Sequence, residues 1–488
     1  MSVAVQTPAG HFPPSRQGPG WRSFLGLGLV VVLLLSTALA PAWAAGGPRR
    51  SRAMATGQPA AAIPEWTILV YLDGDNDLDD VVEADLQEME DGVPAHVRLL
   101  ILVDRANTSG SQLWECSKGV RRLHEEGPEP DMGDWQTLAR FLDRGLALAP
   151  ASHIALIIWN HGMGWKHPEG AATRGIASDD TSGSFITADQ LGLALREGAR
   201  RHGRRLDVVA FDACLMQMVE VAWAVHRWCD VLIGSEEVVP RAGFPYDRFL
   251  GGLPVGADAE KLARHWVDTY LESYRQKEPQ PVALSAWRCR DLPAVFDAVN
   301  GLAKALLTTP AAGPVVKSVL QEVQRFTARD HIDLGHFGDL LGSRLTDETI
   351  RTALEKLRIA LDRARLCANH TGGHLRHSQG LAIYFPSRSA FCSPSYQTLE
   401  FARMSQWDDW LAHYHAWLDM SEEVARLETE GAVALPEVVR RVEQLARSHP
   451  EVGAAGQAQI RFWAVHQAEG GRAAEVEAVI GRGWLSGD

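Results

Sequence analysis

The chain alternates short apolar runs with longer amphipathic stretches from residue 66 onward. The apolar runs are rich in Val, Ile and Leu, which is typical of strands buried on both faces of a parallel sheet. They predict strands at residues 66–72, 97–103, 154–159, 207–211 and 230–234. The stretches between them predict helices at residues 77–90, 134–148, 187–200 and 215–228. This alternation indicates an α/β fold with a mostly parallel central sheet, which we place at residues 65–250.

Helical patterns dominate after residue 250, with extended pieces at residues 282–287 and 381–385. This change predicts a C-terminal subdomain of mixed α+β structure at residues 251–420, packed on the first. From Ser421 onward every pattern is helical. We therefore predict a helical extension over residues 421–488, for which the sequence indicates no role.

The first 44 residues differ from the rest of the chain in composition. They contain no Asp or Glu, carry only Arg16 and Arg22 as charged side chains, and run apolar over residues 24–35 before small residues. This pattern predicts a signal peptide at residues 1–44, followed by a flexible lead-in at 45–64. The alternative is an uncleaved membrane anchor, which so short a run disfavours. We expect an exported protein, extracellular or periplasmic, without stable membrane association after cleavage.

The net charge and the cysteine spacing of the chain argue against some classes of binding partner and of metal or redox site. The formal net charge is −13, which argues against nucleic acid and anionic membranes as partners and suits basic substrates. The six cysteines show no CxxC spacing, so neither a zinc site nor a thioredoxin-type motif is indicated. The oligomeric state is not predicted.

Two polar segments follow predicted strands and carry the candidate chemistry. One is Trp159-Asn160-His161-Gly162, and the other begins at Asp212 and continues Ala213-Cys214-Leu215-Met216. If the two strands are parallel neighbours, His161 and Cys214 meet at the carboxyl edge of the sheet, where open α/β sheets bind ligands. A thiol beside an imidazole is a candidate for nucleophilic catalysis. Taken singly, the alternatives are a buried inert thiol and a hydrogen-bonded histidine at a strand end.

The predicted neighbourhood of Cys214 suits a reactive thiolate. The predicted helix 215–228 would begin beside Cys214 and lower the pKa of its thiol, as would a cationic His161. His161 would transfer the proton as general base and general acid. The backbone N–H groups of Gly162 and Cys214 are the candidate oxyanion donors.

Acidic residues near these segments predict a site for a basic side chain. Asp212 precedes Cys214 by two residues, so its carboxylate can lie at the floor of a pocket and select a guanidinium. The alternative is a carboxylate that caps the following helix. Glu236 and Glu237, just after the fifth predicted strand, are further candidates to line that pocket.

A third acidic group follows the first strand. Asp73, Asp75 and Asp77 alternate as ligands do in calcium loops, but Leu78 stands where such a loop needs Gly. The plainer interpretation is an acidic turn before the first helix. We expect no cofactor, with calcium as the alternative.

The His161 and Cys214 segments resemble the motifs of the clostripain family of cysteine peptidases. Residues 71–78 (YLDGDNDL) and 380–386 (GLAIYFP), together with Asp333-Leu334 and Phe337, resemble other segments of that family, so the resemblance covers residues 66–390. It implies a caspase-like αβα sandwich and a His/Cys dyad with no required third member. It also implies cleavage of proteins or peptides after Arg or Lys, and calcium use in some relatives.

The resemblance further implies self-cleavage in the loop between the catalytic strands. Residues 163–185 form a long aperiodic loop, and loops of this length are usually functional. Its basic residues are Lys166 and Arg174, of which we favour Arg174 because small residues flank it. Two alternatives stay open: a transpeptidase that uses the same dyad, and a binding protein that keeps the fold without the chemistry.

Overall fold

The computed structural model describes residues 63–166, 175–276, 281–309, 312–389 and 392–429, with Arg440 and Gln444 as isolated positions. The predicted signal peptide, nearly all of the lead-in and most of the helical extension therefore lie outside the described residues. Within them, no helix combines the length and apolarity needed to cross a membrane.

The described chain contains strands and α-helices that we number in chain order. The strands are β1 (Trp66–Gly74), β2 (Val97–Arg105), β3 (Gln112–Ser117), β4 (Val120–Glu126), β5 (His153–Trp159), β6 (Ile176–Asp179), β7 (Ser184–Ile186), β8 (Leu206–Asp212), β9 (Cys229–Gly234), β10 (Ala283–Arg288), β11 (His331–Asp333), β12 (Arg365–His370) and β13 (Ala382–Tyr384). The helices are α1 (Asp79–Gly92), α2 (Trp135–Leu148), α3 (Ala188–His202), α4 (Val219–Val225), α5 (Tyr246–Gly251), α6 (Ala259–Gln276), α7 (Leu292–Thr308), α8 (Ala312–Val319), α9 (Leu334–Arg344), α10 (Glu348–Ala364), α11 (Glu400–Met404) and α12 (Trp407–Thr429).

A nine-stranded sheet forms the centre of the fold, in the order β12-β10-β9-β8-β5-β1-β2-β3-β4. The five strands predicted from apolar runs, β2, β1, β5, β8 and β9, are parallel neighbours in its middle. Both faces are covered by buried apolar clusters, one against α2 and α3 and the other against α1, α5 and α6. The predicted αβα sandwich with a mostly parallel sheet is confirmed.

The predicted C-terminal subdomain shares this sheet instead of forming a separate layer. β10 pairs antiparallel with β9, and β12 pairs antiparallel with β10. The apolar run Ala283–Arg288 is buried along nearly its whole length, since it covers what would otherwise be the open edge of β9. The boundary at residue 250 therefore separates two parts of one continuous sheet.

Two local predictions differ from the structure. The predicted helix 215–228 is shortened to α4, because Leu215 lies in the left-handed region at φ +63° and the following backbone pairs with residues 235–237. The β3–β4 hairpin escaped prediction because β4 is charged and mostly exposed. By contrast, α2 begins where predicted, with Asp134 as its N-cap.

Candidate active site

The two candidate catalytic segments leave the sheet side by side. β5 and β8 are parallel neighbours, and Trp159 is paired with Asp212 at their carboxyl ends. A Cβ atom at Gly162 would lie only 2.3 Å from the carbonyl oxygen of Cys214, so the two turns are in direct backbone contact. Glycine is required at this position because any side chain would displace the cysteine turn. The structure thus brings the His161 and Cys214 segments together at one sheet edge.

Backbone groups surround the Cys214 sulfur. The N–H of Val239 points at Sγ at 3.3 Å, and the Cys214 side chain is partly exposed. The left-handed Leu215 turns the chain sharply after the cysteine, and strained backbone of this kind clusters at functional sites. Because α4 begins only at Val219, the predicted helix does not begin beside Cys214, and its predicted dipole effect on the thiol is wrong. The Val239 N–H is the polar group that faces the sulfur instead.

The predicted oxyanion donors lie in this same pair of turns. Gly162 is buried, and its N–H donates to no group among the described residues. An N–H without an acceptor in this pair of turns is available to an oxygen of a bound substrate. The roles of Gly162 and Cys214 as oxyanion donors stay predictions.

The His161 ring is held by an acidic residue. Its Nε2 atom lies 2.7 Å from Oδ1 of Asp77, in the turn between β1 and α1. The His161 side chain is 15% exposed and that of Asp77 is 55% exposed. Asp77 therefore contacts the candidate catalytic segment, whereas the sequence predicts an acidic turn before the first helix, with a calcium loop as the alternative.

Asp212 lies buried beneath the cysteine turn. Its Oδ2 atom accepts hydrogen bonds from the N–H of Phe244 at 3.0 Å and the hydroxyl of Tyr246 at 2.8 Å. Its Oδ1 atom is buried without a hydrogen-bond partner among the described residues. Burial raises the pKa of the carboxyl group to about 6. It does not cap α4, which begins at Val219, so the capping alternative is wrong, and its place in a substrate pocket stays a prediction.

Aromatic and acidic side chains surround Asp212. The Tyr270 hydroxyl is also buried without a partner among the described residues. Burial raises its pKa well above the ordinary value, and the nearby Tyr274, Asp212 and Cys214 raise it further. Asp85 accepts from the indole of Trp159 at 2.6 Å, and burial together with Asp212 raises its pKa to about 8. The Asp212 Oδ1 atom and the Tyr270 hydroxyl, which lie near aromatic rings, suit the guanidinium or ammonium group of a basic side chain.

Glu236 and Glu237 serve a different neighbourhood, which corrects their predicted place in the pocket. Glu236 accepts from the Ser378 hydroxyl and from the N–H of Gly380 at 2.9 Å. Glu237 accepts from the N–H of Thr327 at 3.0 Å. Both carboxylates are 1% exposed and join the end of β9 to the β11–β13 region. Glu236 and Glu237 are therefore buried residues whose hydrogen bonds connect two parts of the fold.

A second acidic group lies at the same sheet edge, beside β1. Asp75, Asp104 and Asp179 each offer a carboxylate oxygen, and these atoms lie within 4.8 Å of one another. All three residues are buried, and within the described part of the chain no Lys or Arg forms an ion pair with them. Asp73 is adjacent, and its Oδ2 atom, like that of Asp104, is buried without a partner there. Only Asp75 among the predicted calcium ligands belongs to the three.

The donors of this acidic group fit a hard cation. Oxygens that share one Ca²⁺ at about 2.3–2.6 Å lie at most about 5 Å apart, so the three carboxylates need little movement to bind it. Asp104 has a sequence signal, because it lies at the end of an apolar strand as the candidate catalytic residues do. Asp179 has no such signal, since β6 is a short hairpin strand.

Of the two candidate self-cleavage residues, the structure describes only Lys166. Lys166 forms an ion pair with Asp330, and its ammonium group lies 5.8 Å from the ring centre of Tyr384. Arg174 lies outside the described residues.

Comparison with known proteins finds one family and a curated relative from it. The model of the clostripain family matches residues 70–414. Clostripain of Hathewaya histolytica is 28% identical over 222 residues, which cover 39% of this chain and 42% of that relative. The match therefore spans less than half the length of the curated relative.

Solved structures show the same fold. A secreted C11 cysteine protease from Bacteroides thetaiotaomicron, in complex with an irreversible peptide inhibitor, matches at a TM-score of 0.57 with 21% identity, covering 71% of this chain and 100% of that one. An inactive zymogen C11 protease from Parabacteroides distasonis matches at a TM-score of 0.55 with 22% identity, covering 70% of this chain and 99% of that one.

Proposed function

The chain belongs to the clostripain family, and from this premise we propose that it is an exported cysteine endopeptidase that cleaves after Arg or Lys. Its substrates are proteins or peptides with basic residues. The observation that carries the specificity is the Oδ1 atom of Asp212, which is buried near the Cys214 turn and has no hydrogen-bond partner in the described part of the chain. A guanidinium or ammonium group supplies the hydrogen bonds and the charge that this oxygen lacks.

The proposed reaction uses the two facing turns. Sγ of Cys214 gives its proton to His161 and attacks the scissile carbonyl carbon, and N–H groups at Gly162 and Cys214 stabilise the oxyanion. The C–N bond then breaks as His161 returns the proton to the leaving amine, which leaves a thioester on Cys214. Water, deprotonated by His161, attacks the thioester and releases the acid, which restores the thiol.

Small peptide amides test this proposal. The protein is incubated with amides ending in Arg, Lys, Asp or Leu, beside Cys214→Ala and Asp212→Asn. We expect turnover of Arg and Lys amides only, and none with Cys214→Ala. Turnover of Asp or Leu amides instead of Arg would overturn the specificity. Adding a peptide amine distinguishes hydrolysis from transpeptidation, and no turnover of any amide would favour the binding-protein alternative.

We also propose that the enzyme processes itself after Arg174. The ion pair of Lys166 with Asp330 supports Arg174 over Lys166, because an anchored side chain is a poorer substrate. Arg174→Ala should remain one chain, as should Cys214→Ala, whereas Lys166→Ala should still be cut. A single-chain wild-type protein that cleaves Arg amides would contradict self-processing.

For export we propose removal of residues 1–44. Amino-terminal sequencing of the secreted or periplasmic protein should begin near residue 45, and an intact Met1 in the membrane fraction would indicate the anchor instead.

For a cofactor we propose Ca²⁺ at Asp75, Asp104 and Asp179. The support is the buried group of carboxylates with no basic partner among the described residues. Repulsion between three such charges in a buried site is costly without a cation. The ion would neutralise that charge and tie the ends of β1 and β2 to β6, which follows the predicted processing segment.

A further inference from the structure

The general base makes one contact that the proposed reaction does not use. Nε2 of His161 is 2.7 Å from Oδ1 of Asp77, well within hydrogen-bond range. An ionised carboxylate only accepts hydrogen bonds, so a ring nitrogen this close to one acts as the donor. The proton therefore lies on Nε2 and is donated to Asp77. This tautomer leaves Nδ1 as the ring nitrogen that accepts a proton.

The turn that carries Asp77 is braced from several sides. The guanidinium of Arg241 donates to the backbone oxygen of Asp77 at 2.6 Å, and it also pairs with Asp80. The side chain of Asn76 donates to the carbonyl of Ser178 at 2.9 Å and accepts from the N–H of Leu78. A carboxylate on so constrained a turn is presented to the imidazole in one place.

Arg241 links this turn to the cysteine side of the site. It lies two residues beyond Val239, whose N–H points at the Cys214 sulfur. Contacts thus connect the Asp77 turn to the His161 turn and, through Arg241, to the segment beside the thiol.

We propose that Asp77 is a positioning residue for His161, which makes the site a triad in function. This inference rests on the proposed function. Asp77 holds the proton on Nε2 and stabilises the imidazolium that forms when Nδ1 takes the proton from Sγ of Cys214. The proton passes from Nδ1 to the leaving amine, and Asp77 stays ionised throughout. A dyad that works without a third residue needs no such contact.

Three substitutions at Asp77 test this role. Asp77→Asn removes the charge with little change of shape, and we expect kcat for an Arg amide to fall roughly 10- to 100-fold with KM within about twofold. Alkylation of Cys214 by iodoacetamide should slow in parallel, because it reports thiolate formation without substrate. Asp77→Glu should recover much of kcat, and formate should partly rescue Asp77→Ala.

Asp91→Asn is the matched control, since Asp91 is an exposed aspartate at the end of the same helix, α1. It should leave every parameter unchanged. Wild-type kcat in Asp77→Asn would overturn the inference, and so would a loss that neither Asp77→Glu nor formate restores, because that pattern marks a structural role. If the wild-type protein cleaves no Arg or Lys amide, the proposed function fails, and the alkylation rates still decide whether Asp77 acts on His161.

Discussion

Two groups of buried carboxylates lie at the same edge of the sheet, and their surroundings differ. Asp212, below the cysteine turn, has hydrogen bonds to one oxygen, aromatic rings around it and one unpartnered oxygen. Asp75, Asp104 and Asp179, beside β1, form an all-carboxylate group in which the oxygens face one another. Tyr270 lies near Asp212, with its hydroxyl buried and without a partner among the described residues, whereas Tyr71, near Asp104, donates its hydroxyl hydrogen to the carbonyl of Met132.

This contrast teaches that the neighbours of a buried acid, more than the acid itself, select its cation. A single carboxylate in an apolar, aromatic pocket suits an organic cation, whose stem packs on rings while its head meets the charge. Several carboxylates that converge on one point suit a small hard ion. The same edge of one sheet therefore supports substrate recognition at β8 and a structural ion at β1 and β2.

The largest expected effect comes from removing the charge in the substrate pocket. Asp212→Asn should lower kcat/KM for Arg and Lys amides roughly 10²- to 10³-fold, because it leaves a buried guanidinium without its charge partner. The measurement is initial rates on Arg and citrulline amides, with Asp297→Asn on the exposed face of α7 as control. An unchanged ratio between the two amides would place the specificity elsewhere.

The second effect concerns the acidic group at β1 and β2. Ca²⁺ should raise the melting temperature of the wild-type protein by several degrees, since a ligand that binds only the folded state stabilises it. Asp104→Asn should abolish that increase and Ca²⁺ binding by calorimetry, while Asp297→Asn keeps both. An Asp104→Asn variant that still binds Ca²⁺ with wild-type affinity would show that the ion lies elsewhere.

The third effect is the dependence of substrate recognition at Asp212 on pH. Because burial raises the pKa of Asp212 to about 6, its carboxylate gains a proton and loses its charge as the pH falls through that value. The ratio of kcat/KM for Arg over citrulline amides should therefore fall below pH 6, by up to about tenfold per pH unit. Asp85, with its pKa raised to about 8, stays protonated across this range.

The ratio removes the titration of the catalytic thiol and imidazole, because both amides share them. In Asp212→Asn the ratio should not vary between pH 5 and 7. A wild-type ratio that is equally flat would mean that the Asp212 charge does not recognise the substrate.

The five middle strands of the central sheet were predictable because they are apolar on both faces, a pattern that few other structures produce. The same rule, which looks for polar residues where such strands end, found His161, Cys214 and Asp212. Helical periodicity placed the start of α4 too early, because the left-handed turn at Leu215 depends on pairing with residues 235–237, a contact distant in sequence. Local helical periodicity contains no information on that competition.

Contacts between turns were beyond sequence reasoning for a related reason. Asp77 meets His161 across 84 positions, and the alternation of Asp73, Asp75 and Asp77 suggested a local loop instead. The turn directs Asp75 inward to the acidic group and Asp77 outward to the imidazole. Only the three-dimensional path of the chain assigns neighbouring aspartates to two different sites.

The smallest effect concerns Glu236, the acid that the sequence placed in the substrate pocket. Burial, and the carboxylate of Asp333 beside it, raise the pKa of Glu236 well above its ordinary value. Glu236→Gln keeps the shape of this side chain and removes the carboxyl group that binds and releases a proton. Activity and selectivity for Arg amides should change less than about twofold, and the free energy of unfolding by no more than about 1 kcal/mol.

The variant should nevertheless alter how stability depends on pH. A carboxyl whose pKa is raised by folding stabilises the protein below its unfolded pKa and loses that contribution as the pH rises through the folded value. The wild-type melting temperature should thus decline toward alkaline pH, and Glu236→Gln should decline less, because an amide has no proton to lose. Parallel pH profiles would show that Asp333 alone carries the effect. A loss of Arg selectivity would return Glu236 to the pocket and remove the distinction between acids that bind substrate and acids that join the sheet to its C-terminal part.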